Sequence, residues 1–263
     1  MNEPLNDLEQ KLMRAADEPT SRPEFYKALM VSDVFIIGSS DSEGEGVSTI
    51  PAGAKLSIVN WEKNDGTPFI PFFTSLEALQ QALQDESKYV ALPAKSLFEM
   101  TIGSSLTLNP ASPYGKEFFP SEIHALLETG MNHTPQTRVV QKETKVLLGE
   151  PANYPSEMVS ALTTLLAKHS AVRAAYLCLM HDPSSSEKPA LLVGFEVDNE
   201  LTVVMREAGS VAADTAPRGE LVDFIVLKRA DSGVSEYMFK SVKPFYERTW
   251  GAKLLSLFSP GNS

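Results

Sequence analysis

Residues 130–143, GMNHTPQTRVVQKE, show neither helical nor strand periodicity, and they sit in the middle of a 263-residue chain. A polar, aperiodic stretch with a central proline cannot cross a core. It forces the residues on either side to bury their apolar groups separately. At roughly 100–200 residues per domain, a chain of this length has room for two such units. The expected organisation is a first domain over 1–130, a linker over 131–143 and a second domain over 144–263.

The charge changes at the same place. Residues 1–130 hold nine Lys and Arg against nineteen Asp and Glu, whereas 131–263 hold fourteen against fifteen. Nearly all of the net charge of −11 therefore belongs to the first half. A nucleic-acid-binding protein would have a basic footprint, so none is expected as a partner. A protein partner that docks on the first domain is expected to be basic. Nothing in the sequence fixes the oligomeric state.

In the first half, Leu5, Leu8, Leu12 and Ala15 recur at helical spacing, and Pro19 closes that helix. Ser21 with Glu24, and Thr74 with Glu77, have capping-box spacing at the starts of two further helices. Strands are expected at 34–37, 55–61, 69–73, 89–92 and 105–108, and helices at 76–83, 93–100 and 121–128. Asp65-Gly66 predicts a hairpin turn. Pro68 and Pro71 predict that strand 69–73 lies at an edge or a bulge. In the second half, strands are expected at 145–148, 173–180, 190–197 and 223–227. Helices are expected from Pro155 through Leu166, over 201–208 and over 234–242. The mixture predicts an α+β fold. It would consist of two α/β-mixed domains, each a small, mostly antiparallel sheet with helices packed on one face.

Sites for chemistry are sparse. The loop DSEGEG at 41–46 matches the first half of a calcium loop, but Ala52 stands where the bidentate Glu is needed. Cys178, the single cysteine, forms a C-x-x-H pair with His181, yet residues three apart on a strand face opposite ways. No metal site and no cofactor are expected. Cys178 reads as a buried, inert thiol, with a reactive or sulfur-carrying thiol as the alternative. His124 is expected to be partly buried and hydrogen-bonded. Lys228, Arg229, Lys240, Lys243 and Arg248 are interleaved with Tyr237, Phe239, Phe245, Tyr246 and Trp250, which makes this stretch the best binding candidate of the second half. No run approaches the ~18 apolar residues of a membrane span, and the N-terminus lacks a basic and then apolar leader. With a single cysteine, this predicts a cytoplasmic protein that needs no membrane.

Several words in the chain carry a family likeness. They are PFIPFFTSLEALQQAL at 68–83, LFEMT at 97–101, Leu108-Asn109 and GKEF at 115–118. The second half adds LTTL at 162–165, GSVA at 209–212 and PFYER at 244–248. In this order they resemble the N-terminal and C-terminal domains of the enhanced serine sensitivity (SseB) family. The resemblance covers nearly the whole chain, and segments 38–54 and 131–143 are more individual. It implies a two-domain bacterial cytoplasmic protein linked to serine sensitivity, and it supplies no catalytic residues. The expected function is a non-enzymatic binding or regulatory protein. The alternatives are a thiol-dependent, sulfur-related protein using Cys178 and a binder of a small molecule such as an amino acid. The candidate interaction surface comprises Phe72, Phe73, Thr74 and Asn109 in the first domain, and Phe245, Tyr246 and Arg248 in the second.

Overall fold

A computed structural model describes residues 6–40, 56–133, 146–183, 188–198 and 202–248. The chain forms two compact units, Met1–Asn132 and His133–Ser263. Residues 134–143 of the expected linker, the 41–46 loop and Trp250 lie outside the described residues. Both units combine helices with a mixed sheet, an α+β architecture.

The first unit opens with α1 (Asp7–Asp17) and α2 (Arg22–Val31). The side chain of Asn6 caps α1 by accepting from the Glu9 N–H. The expected box at α2 does not form, because a short 3-10 turn (Pro19–Ser21) enters that helix and the Ser21 hydroxyl donates to Glu18 instead. The strands are β1 (Asp33–Ser40), β2 (Leu56–Ile58), β3 (Trp61–Glu62), β4 (Pro68–Phe73), β5 (Tyr89–Pro93), β6 (Leu106–Leu108) and β7 (Lys116–Phe118). Between them lie α3 (Leu76–Ala82), α4 (Ala94–Met100) and α5 (Pro120–Thr129). The single strand expected over 55–61 is therefore two short strands, and β7 is additional.

β4 is interior rather than at an edge. It pairs with β1 and β3 on one side and with β6 on the other. The prolines are tolerated for a local reason. The β1–β4 register pairs Phe35 with Phe73 and Ile36 with Phe72, so its continuation would set Pro71 opposite Ile37. Pro71 has no N–H to give, and the Ile37 carbonyl instead accepts the Val59 N–H at 3.0 Å. β2 thus replaces β4 beside β1. It comes so close at Gly38 that a Cβ there would stand 2.2 Å from the Ser57 carbonyl oxygen.

Alternate residues of β4 enter different cores. Ile70 and Phe72 join Leu12, Phe25, Leu29, Leu97 and Phe118 on one face. Phe73 packs with Ile37 and Leu79 on the other, with Leu76 of α3 against it. Helices therefore cover both faces of the sheet, not one.

The second unit contains β8 (Leu147–Gly149), α6 (Ser156–Leu166), β9 (Val172–His181), β10 (Ala190–Val197), α7 (Thr202–Thr215), β11 (Val222–Leu227), α8 (Val234–Ser241) and β12 (Tyr246–Glu247). β9 and β10 form the expected antiparallel pair. α7 then crosses over to bring β11 parallel to β10. β8 and β12 both pair with the far side of β9. Both faces are again buried. Val193 and Phe195 meet α6 and α7, while Leu192, Tyr176 and Cys178 meet Met238 of α8. Gly194 lets α8 approach, since a Cβ there would lie 2.4 Å from the Met238 sulfur. No helix among the described residues is long and apolar enough to cross a membrane.

Candidate functional site

Of the residues expected at an interaction surface, the four in the first domain are buried. Phe72 and Phe73 are fully buried. Thr74 and Asn109 are buried together at the ends of β4 and β6. The Thr74 N–H donates to Asn109 Oδ1 at 3.0 Å, and Asn109 Nδ2 donates to Thr74 Oγ1 at 2.9 Å. Thr74 Oγ1 and Ser75 Oγ both donate to Glu9 Oε1, at 2.7 and 2.8 Å, and Asn6 Nδ2 donates to the Thr74 carbonyl. This network ties α1 to the strand ends. It also corrects the cap at α3, where Ser75 rather than Thr74 accepts the Ala78 N–H.

In the second domain Phe245 and Tyr246 are half-buried against the core. Burial raises the Tyr246 hydroxyl above its ordinary range. Arg248 donates to Asp198 Oδ2 at 2.7 Å and to the Ser170 carbonyl, and Arg173 also pairs with Asp198. The Arg248 hydrogen bond, reinforced by Arg173, holds the Asp198 carboxyl below its usual range. These three aromatic and basic residues anchor β12, so they are packing elements first.

Cys178 is 1% exposed among Tyr176, Leu192 and Met238, and it turns to the face opposite His181. Burial pushes its thiol up to about 11. A thiol of that kind is protonated at neutral pH and is a poor nucleophile. No group of three His, Cys, Asp or Glu residues is placed to hold a metal ion among the described residues. His124 is exposed and pairs with Glu128 at 3.4 Å, not partly buried as expected.

A different cluster has the geometry of a recognition site. Glu196 is a carboxylate in the otherwise apolar β10, and it is only 8% exposed. Arg229, just past the end of β11, meets it with two hydrogen bonds, Nε to Oε1 at 2.8 Å and Nη2 to Oε2 at 3.0 Å. The guanidinium lies 4.8 Å from the Phe239 ring centre, and Phe239 meets Tyr176 edge-on at 5.6 Å. Burial, and then the Glu196 charge, raise the Tyr176 hydroxyl. Beside this cluster lies a cleft of about 400 Å³ lined by Arg229, Asp231, Ser232, Glu236, Phe239 and Lys240. It opens past the carboxyl end of β11, between residues 229–232 and α8. One aromatic ring, Phe239, lines it beside charges of both signs, with Glu236 and Lys240 paired one helical turn apart at 2.6 Å.

Arg229, Phe239 and Lys240 stand out in the sequence, whereas Tyr176, Glu196, Asp231 and Glu236 do not. A usable signal for Glu196 exists. A lone carboxylate in the apolar run ALLVGFEV needs a cationic partner if the strand is buried. Replacing Arg229 with alanine leaves that carboxylate unpaired. Breaking a buried pair costs ~3–5 kcal/mol, and the largely exposed Arg229 side chain lowers this to ~2 kcal/mol. Urea unfolding of Arg229→Ala against the parent chain checks this, and a loss below ~0.5 kcal/mol would contradict it.

A family model of the SseB protein N-terminal domain matches residues 8–125, and one of the SseB protein C-terminal domain matches residues 140–248. Protein SseB of Escherichia coli (strain K12) and Protein SseB of Shigella flexneri are each 40% identical to this chain over 254 residues. Those residues span 97% of this chain and 96% of each relative. No solved structure matches the chain.

Proposed function

The chain belongs to the SseB family, and from that membership we propose that it is a non-catalytic binding or regulatory protein of the cytoplasm whose recognition site is the Arg229–Phe239 cleft. The observation that carries this reading is the preorganised guanidinium. Glu196 fixes it from behind through two hydrogen bonds, and Phe239 fixes it from one face. A partner meeting this cleft orders few side chains, which keeps the entropic cost of binding low. Aromatic and Arg residues are also the side chains that most often anchor interfaces. The partner is a protein. If it also contacts the acidic first domain, it is basic, and its retention weakens with salt.

The test is a pull-down from bacterial lysate with the intact chain and with Phe239→Ala, at low and raised salt. Recovery of one protein by the parent and its loss with Phe239→Ala supports the reading. Equal recovery by both, or no specific protein, overturns it. A second reading rests on the size of the cleft, which falls within the ~300–1,000 Å³ of small-molecule sites. A thermal-shift titration with serine tests that reading, since a ligand of the native state raises Tm. No shift at millimolar serine would count against it.

The burial of Cys178 weighs against a thiol-dependent activity. The native chain is expected to resist alkylation by iodoacetamide at neutral pH and to react once denaturant is added. Rapid labelling of the folded chain would revive the thiol mechanism. The raised thiol also has a linkage consequence. Its stabilising contribution is complete below its ordinary value of 9.0 and is lost as pH rises towards about 11.

A further inference from the structure

β11 is bonded on one side only. It runs parallel to β10 from Val222 beside Leu191 to Leu227 beside Glu196, and no described strand lies on its other side. One hydrogen bond sets the direction of every backbone group in it. The Leu191 N–H donates to the Leu221 carbonyl, so the odd-numbered residues turn their backbone groups towards β10. The N–H and C=O groups of Val222, Phe224 and Val226 therefore face outward. Natural edges are blunted by charges, prolines or bulges. β11 reads VDFIVL, with one charge and no proline. Val226 is 40% exposed, and Leu221 just before the strand is 45% exposed.

We propose that this edge pairs with β11 of a second copy of the chain, antiparallel about a twofold axis at Phe224. Both residues of a hydrogen-bonded pair must face outward, so a symmetric pairing centres on one outward residue or midway between two, and a midway centre uses only two of the three. Centring on Phe224 uses all three. Phe224 stands opposite the partner's Phe224, and Val222 opposite the partner's Val226, giving about six backbone hydrogen bonds. Centring on Val222 or Val226 runs the pairing off the strand end.

The Phe224 register makes two matches that a single copy leaves open. Val222 and Phe224 pack on the core that α7 covers, and Val226, two residues further on, lies on the same face of the strand. Their apolar row continues into the same row of the partner, so the side chains bury one another across the axis. At each end, Glu220 falls opposite the partner's Lys228. Both residues are exposed, and neither has an ion-pair partner among the described residues. The axis produces this contact twice, with opposite charges facing each other both times. The two five-stranded sheets then form one continuous sheet.

Sedimentation of the intact chain over a range of concentrations tests the proposal. The parent chain is expected to show a monomer–dimer equilibrium. Val226→Pro removes an outward N–H and no bond to β10, so it should weaken the dimer about thirtyfold or more. E220K puts a lysine opposite the partner's Lys228 and should weaken the dimer. The double variant E220K/K228E restores opposite charges and should return it to within about threefold of the parent. The double variant answers the question even if the proline perturbs the strand. A parent chain that sediments only as a monomer overturns the proposal. So does a dimer insensitive to Val226→Pro, or one that E220K weakens without recovery in E220K/K228E. The cleft reading does not depend on the result.

Discussion

Phe72→Ala is expected to destabilise the first domain by ~4 kcal/mol, within the ~3–5 kcal/mol of buried Phe truncations. Phe72 is fully buried at the centre of a three-ring cluster. Its ring centre lies 5.9 Å from that of Phe98 and 5.8 Å from that of Phe118, and those two rings are 5.7 Å apart. Truncation removes two aromatic contacts and leaves a cavity that β1 and β6, paired to either side of β4, cannot close. Phe72→Leu keeps most of the volume and should cost ~1–1.5 kcal/mol. Urea titrations of the intact chain read both effects as a lower midpoint with an unchanged slope. If Phe72→Ala costs less than ~1 kcal/mol, the ring does not centre the packing of this face. Domains have only ~5–15 kcal/mol of stability, so any loss of binding in this variant should track unfolding.

Most helices and strands are legible in the chain because their signals are local. Leu8, Leu12 and Ala15 recur at the helical period, and all three are buried in α1. Asp65-Gly66 marks the turn between β3 and β4, with Gly66 at φ +82°. The misreadings arise where a distant partner decides the outcome. The prolines of β4 suggest an edge, yet the donor missing at Pro71 is supplied by Val59, just past the end of β2. β7 and β12 are two or three residues long, and only the strands beside them define them. Packing on both faces is visible in retrospect. The runs 174–180 and 190–195 are continuously apolar rather than alternating, as in strands buried on both sides.

The candidate site follows the same division. Arg229, Phe239 and Lys240 attract notice by type, because exposed cations beside aromatic rings are common in interfaces. Glu196 escapes notice because its role depends on a residue 33 positions away. The converse error concerns Phe72 to Thr74. A phenylalanine pair followed by threonine resembles an exposed aromatic turn until β1 and β6 flank it and close it from solvent. The second-domain residues 245, 246 and 248 are held by pairing with β9 and Asp198, which their residue types do not reveal.

Asn109→Ala should cost the first domain ~3 kcal/mol, because it fails in both backbone and side chain. Asn109 has φ +47° and is the single non-glycine residue with positive φ among those described. Asparagine tolerates this region, whereas alanine pays ~1 kcal/mol there. Truncation also strands the buried Thr74 N–H, at ~1–3 kcal/mol, and frees the Thr74 hydroxyl that reaches Glu9. Asn109→Gly separates the two parts. It removes the backbone strain but not the lost hydrogen bonds, so it should be milder than Asn109→Ala by ~1 kcal/mol. Asn109→Asp supplies the sharper test. Its carboxylate still accepts from the Thr74 N–H but cannot donate to Thr74 Oγ1, and it brings a second negative charge towards Glu9. Folding then favours the protonated side chain, which raises its folded-state pKa above the unfolded one. The stability of N109D should therefore be greatest at acidic pH and fall as pH rises through the carboxylate range. The parent chain, measured alongside, lacks this carboxylate and should not show the same loss. If N109A and N109G unfold alike, strain at φ +47° contributes nothing. If all three variants match the parent, the Thr74–Asn109–Glu9 network does not hold α1 to the sheet.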